Sequence, residues 1–85
     1  MTGEREGRGA GAVLLSSLPD GAAAVLDSVM AGSGLRSRLL SMGLRPGVQV
    51  HVVRNRGGGP FVVAVQGCRI VLGRGMAHKI RVVPA

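Results

Sequence analysis

The stretch Arg36–Val53, RSRLLSMGLRPGVQVHVV, decides the fold. It holds a helix, a helix stop, a tight turn and a strand. Leu35, Leu39 and Met42 recur at spacings of four and three, so they share one face of a short helix. Arg36 and Arg38 point away from that face. Ser33 is the expected N-cap, its hydroxyl accepting from a first-turn N–H that lacks a helical partner. Gly43 follows the helix where a left-handed conformation costs glycine little. Pro46-Gly47 fits the centre of a type II turn, with Pro presetting the first φ and Gly supplying the positive second one. The period then switches to two. Val48, Val50 and Val52 alternate with Gln49 and His51, the mark of a half-buried strand.

Outward from this stretch, the remaining elements are short. Residues 1–13, rich in Gly, Arg and Glu without periodicity, read as a disordered tail, and residues 14–85 as one domain. Leu18-Pro19-Asp20-Gly21 reads as a turn with Pro at its first central position. Strands are expected over Ala22–Val29, Val48–Arg54, Phe61–Val65, Cys68–Leu72 and Ile80–Val83. In the first, Ala23, Val25 and Val29 share a face and Leu26 opposes them. In the fourth, Cys68, Ile70 and Leu72 share one. Asn55–Pro60 is a glycine-rich hairpin loop, Gln66-Gly67 a two-residue turn, and Gly73–Ala77 a single helical turn. Five short strands and one intervening helix make a mainly β fold, a small, partly open barrel. The helix face of Leu35, Leu39 and Met42 is expected to cover it and to blunt one sheet edge.

Composition narrows the function classes. The net charge is +7, and its distribution is lopsided. All four acids (Glu4, Glu6, Asp20 and Asp27) lie in the first third, while Ser28–Ala85 carries nine Arg or Lys and no carboxylate side chain. Such a surface attracts anionic partners. The single cysteine, Cys68, excludes an intramolecular disulfide and points to the cytoplasm. No stretch approaches the ~18 apolar residues of a membrane span, so any membrane association is expected to be peripheral or through a membrane-embedded partner, at the inner face. The 24 Val, Leu and Ile residues supply a core, and Phe61, the one aromatic, fills its centre.

The pattern L-x-x-L-x-x-G at Leu15, Leu18 and Gly21, then R-x-R-L-L-x-M-G-L-x-P-G at Arg36–Gly47, then R-I-V-L-G-R-G-M-A-H-K-I-R-V at Arg69–Val82, resembles the FeoA family. These are small proteins of bacterial ferrous-iron uptake. Leu39, Met42, Gly43, Leu44, Pro46, Gly47, Val50, Ala77 and Ile80 carry much of the match, which spans about residues 14 to 84. The resemblance implies an SH3-like β-barrel with a helical turn before its last strand. It implies an accessory or regulatory role and a partner, the membrane-embedded ferrous-iron permease with its cytosolic GTP-binding domain.

The residues themselves offer no chemistry to set beside this. Iron(II) sites use His and carboxylate ligands, and His51, His78 and Cys68 are scattered over three elements with no carboxylate after Asp27. Cys68 reads as a small core hydrophobe. A Ser/His/Asp triad would have to take its aspartate from Asp20 or Asp27, both in or near the first strand, and Asp20 already has a turn role. There is no P-loop motif, and Gly57-Gly58-Gly59 is a hairpin tip rather than a phosphate cradle. No catalytic residue, cofactor or metal ligand set is therefore assigned. The expected function is protein–protein interaction through Arg36, Arg38, Leu40, Arg45, Arg54 and Arg56. Leu40 fits a docking surface or the core equally, whereas Leu44 reads as core. The alternative is an SH3-like nucleic-acid-binding module, which suits the charge but lacks the stacking aromatics that single-strand recognition uses. Self-association is compatible with either.

Overall fold

The computed structural model describes residues 11–56 and 59–85. Residues 1–10 of the expected tail and Gly57-Gly58 of the glycine loop lie outside the described residues, while Val13, the last residue of that tail, is in a strand. Six strands form: β1 (Val13–Leu14), β2 (Ala23–Val29), β3 (Gln49–Asn55), β4 (Phe61–Val65), β5 (Cys68–Leu72) and β6 (Ile80–Pro84). Two helices interrupt them, α1 (Ser33–Ser41) and α2 (Arg74–Ala77), and a 3₁₀ turn spans Leu15–Ser17. The sheet is antiparallel in the order β1-β6-β2-β3-β4-β5. Strands β2 to β5 run as neighbours in chain order, and β6 returns to pair with β2. The strand beyond the expected five is β1, which pairs Val13 with Val82 and Leu14 with Arg81. Two residues carry no readable period, so only the pairing reveals it.

One apolar core holds the sheet. Ala24 and Leu26 of β2, Val50 and Val52 of β3, Phe61, Val63 and Val65 of β4, Leu72 of β5, and Ile80 and Val82 of β6 all join it, and among the described residues no polar side chain is buried with them. A flat sheet would hold β6 and β5 four strand spacings apart, roughly 19 Å. Only a curled sheet lets both ends face the same cluster with so little helix to cover it. A bulge between Leu26 and Ser28 breaks the alternation of β2. Val25, between the buried Ala24 and Leu26, faces out at 37% exposure by ordinary alternation, and beyond the bulge Val29 packs on the core.

The α1 segment forms as the residues dictate, with two corrections. Gly32, in extended conformation, is the N-cap and makes no side-chain cap bond; Ser33 is already the first helical residue. The first i to i−4 bond runs from the Arg36 N–H to the Gly32 carbonyl, at 3.0 Å, which fixes the cap one residue earlier than expected. At the other end, Met42 is 40% exposed rather than part of the buried face. The reason is the stop itself. Gly43 takes φ +89°, its N–H donates to the Leu40 carbonyl (3.0 Å), and the Leu44 N–H donates to the Leu39 carbonyl (2.9 Å). This is a complete Schellman motif. It swings Met42 outward and drops Leu44 into the core beside Leu39, both at 1% exposure or less. Leu35 is half-buried against the same cluster.

The turns follow their residues closely. Val48 N–H donates to the Arg45 carbonyl across Pro46-Gly47, with Gly47 at φ +92°. Gln66 and Gly67 both take positive φ, the two-residue hairpin turn expected between β4 and β5. The first turn sits one residue later than its composition suggests: Ala22 N–H donates to the Pro19 carbonyl, so Pro19 opens the turn and Gly21, at φ +86°, takes the left-handed central position.

Candidate docking surface

The register of the sheet sorts side chains into an inner and an outer face. Val50, Val65 and Cys68 form one inner row, and Val52, Val63 and Ile70 the next. The outer face carries His51, Ala64 and Arg69 in one row, and Arg54, Val62 and Val71 in another. Cys68 thus shares the face of Ile70 and Leu72, as its spacing implied. It is nevertheless exposed, correcting the core reading. It is the first residue of a strand at the end of the sheet, beside the Gln66-Gly67 turn, and the core does not extend that far. The helix does not shield this end either: Cys68, Arg69 and Val71 are all exposed.

On the outer face lies an open concavity of about 640 Å³, lined by Arg45, Gln49, His51, Ala64, Gln66 and the two flanking turns. Arg45 comes from the Pro46-Gly47 turn and His51 from β3, and both are exposed. One strand end therefore presents a guanidinium, an imidazole and two side-chain amides around an apolar floor. That set suits an acidic side chain or main-chain carbonyls of a partner.

The residues singled out in the sequence fall into three positions. Arg36, Arg38 and Leu40 are exposed on α1, with Leu40 at 52%. Leu40 thus sits on the surface and Leu44 in the core. Arg45 lines the concavity, and Arg54 stands on the outer face one row away from His51. Arg56 is different: its Nε lies 3.5 Å from Asp20 Oδ2, the one ion pair among the described residues. The pair is exposed enough to contribute little to stability, but it offsets part of the charge Arg56 would offer a partner. Among the described residues, Arg36, Arg38, Arg45 and Arg54 have no side-chain partner.

One constellation carries no signal in the sequence. Asn55 Nδ2 donates to the carbonyls of Ser16 (3.0 Å) and Leu18 (2.6 Å), and its backbone N–H donates to Asp20 Oδ1. Arg74 donates to Asn55 Oδ1 (2.8 Å), the Arg56 carbonyl (2.9 Å) and the Gly59 carbonyl (3.4 Å), with its guanidinium 5.7 Å from the Phe61 ring centroid. This clamp ties the β3–β4 hairpin and α2 to the N-terminal segment. Arg74 is therefore committed to structure, unlike the four arginines above. His78 is likewise engaged, hydrogen-bonded through Nδ1 to Ser16 Oγ at 2.7 Å. Among the described residues no three His, Cys, Asp or Glu side chains come together as a metal site, and no helix is long and apolar enough to cross a membrane.

Comparison with known proteins bears on this surface. The FeoA domain family matches residues 13–84. A protein of Methanocaldococcus jannaschii, whose name assigns it provisionally to Fe(2+) transport as transport protein A, is 37% identical over 68 residues, covering 80% of this chain and 82% of its own. The crystal structure of an iron uptake regulatory protein, FeoA, superposes with a TM-score of 0.82 at 31% identity, over 87% of this chain and 99% of that one. The zinc complex of Stenotrophomonas maltophilia FeoA, described as a prokaryotic SH3-domain protein, superposes at 0.72 and 32% identity, over 82% and 88%. The mainly β architecture, with its six-stranded antiparallel sheet and two short helices, is thus SH3-like, and the chain belongs to the FeoA family.

Proposed function

We propose that this protein is a cytoplasmic accessory subunit of ferrous-iron transport. It docks on the cytosolic face of a membrane permease and its GTP-binding domain, and it regulates the transport cycle by binding rather than by catalysis. Family membership supports the transport role. The observation that carries the docking mode is the surface charge: Arg36, Arg38, Arg45 and Arg54 are exposed without carboxylate partners, on a domain that has no acidic side chain from Ser28 onward. Exposed arginines beside an apolar side chain such as Leu40 match the composition of interface anchors. The nucleic-acid reading has the charge in its favour but no stacking surface, because Phe61 is fully buried and offers a base nothing to stack on.

The test is binding to the permease's cytosolic region by two charge-reversed variants, one with Arg36→Glu and Arg38→Glu, the other with Arg45→Glu and Arg54→Glu. At least one pair is expected to weaken binding about tenfold or more, chiefly through faster dissociation and slower encounter. Unchanged affinity in both would eliminate the arginine surface as the docking site.

A further inference from the structure

The sheet has two ends, and they are unlike. One is β1, only two residues long. The other is β5, five residues long, with β4 as its sole neighbour. Val65 and Cys68 flank a two-residue turn, which makes them a hydrogen-bonded pair. Alternation then gives the same status to Val63 with Ile70 and to Phe61 with Leu72. Arg69 and Val71 must therefore aim their backbone N–H and C=O groups away from β4. Among the described residues no backbone group outside the strand bonds to them.

Sheet edges of this length are ordinarily guarded by proline, a bulge, covering elements or inward charges. β5 has no proline and no register shift against β4. Its single guard is Arg69. Val71, its outward neighbour two residues on, is 68% exposed, the most exposed large apolar side chain among the described residues.

We propose that β5 is a strand-addition site, at which an extended acidic and apolar segment of the transport partner pairs along Arg69–Val71 and lengthens the sheet. The proposal rests on the permease-docking reading above and adds the mode of contact. Main-chain bonds to Arg69 and Val71 would supply the affinity, and alternate side chains the selectivity. A carboxylate across from Arg69 pairs with its guanidinium. An apolar side chain across from Val71 covers the exposed valine and extends the apolar row that Val62 begins. On the inner face, an apolar neighbour completes the half-buried Ile70. Charge decides the occupant. A second copy of this chain brings another net charge of +7 and a second Arg69 to the same edge, whereas an acidic strand relieves both.

The experiment is residue-resolved amide hydrogen exchange on the full chain, free and mixed with the permease's cytosolic region. Exchange at the Arg69 and Val71 amides is expected to slow about tenfold or more in the complex, while Cys68 and Ile70, already bonded to β4, change little. A Val71→Pro variant adds a second readout. The Val71 N–H points away from β4, so proline at this position removes the donor offered to the partner and leaves the β4 ladder intact. Its affinity is expected to fall about tenfold or more with the free-state exchange of β4 unchanged. A complex that forms while both amides exchange as in the free protein overturns strand addition and leaves permease docking standing. Protection of the two amides that grows with concentration in the free protein overturns it too, by making a second copy the occupant. Failure of any complex to form removes the docking reading, and this one with it.

Discussion

Arg74 shows how much of this small fold depends on a single side chain. Its guanidinium bonds to Asn55 Oδ1 and to two loop carbonyls, over the face of Phe61. A planar fork with several donors can meet three acceptors in different directions; a lysine ammonium on a flexible stem cannot hold the same set. Arg74→Lys should therefore destabilise the domain by about 1–3 kcal/mol, the scale of losing charge-assisted bonds to partly buried acceptors. The check is urea unfolding, where the midpoint should fall with the slope unchanged. A variant as stable as the parent would show the clamp to be incidental. Nothing in the sequence announces this clamp. Two of Arg74's acceptors are backbone carbonyls, which have no residue identity, and Asn55 lies 19 positions away. By contrast, His51 was legible as an exposed strand residue because its neighbours Val50 and Val52 fix the strand's face on their own.

At the level of elements, the helix stop is where local chemistry and packing meet. Gly43 sits at φ +89°, and a Cβ added there would lie 3.6 Å from the nearest atom, Gln66 Oε1, an ordinary contact. The cost of Gly43→Ala is thus conformational rather than steric, about 1–2 kcal/mol for an L-residue held in the left-handed region. The motif also bears on two leucines, of which the sequence left Leu40 open between surface and core and read Leu44 as core. Leu44 lies in the core at 1% exposure and Leu40 on the surface at 52%. Leu44→Ala should cost about 2–5 kcal/mol through lost burial and a residual cavity, while Leu40→Ala should stay within about 0.5 kcal/mol of the parent. Equal thermal midpoints for these two variants would contradict the packing described here. The helix period left Leu40 open between the two readings, and Gly43, which reverses the chain between Met42 and Leu44, carries Leu44 into the core as expected. The same reversal explains why Met42, in step with Leu35 and Leu39, ends outside. Cys68 was misjudged for a related reason: period two gives the face of a strand, but not how far the core reaches along it.

On the scale of the whole molecule, charge and topology act together. The chain carries +7 overall and leaves β5 open along its length. An open apolar edge favours pairing with any second strand, including the same strand in another copy. Two forces oppose that here. The general one is repulsion between like-charged molecules, which weakens as the screening length shrinks from ~10 Å at ~0.1 M salt to ~3 Å at ~1 M. The local one is Arg69, which an antiparallel pairing of two β5 strands about Ile70 would set against Val71 of the other copy. Removing the local guard should therefore expose the edge. Arg69→Val is expected to shift the protein from monomer toward dimer as concentration rises, and more so at high salt, as measured by sedimentation equilibrium. The parent should remain monomeric under the same conditions. Arg69→Glu separates the two forces: it lowers the net charge further, yet keeps a charge at the edge. If local guarding dominates, Arg69→Glu stays monomeric. If it associates as strongly as Arg69→Val, net repulsion alone keeps the molecules apart, and the edge residue has no special part in keeping β5 available for a partner.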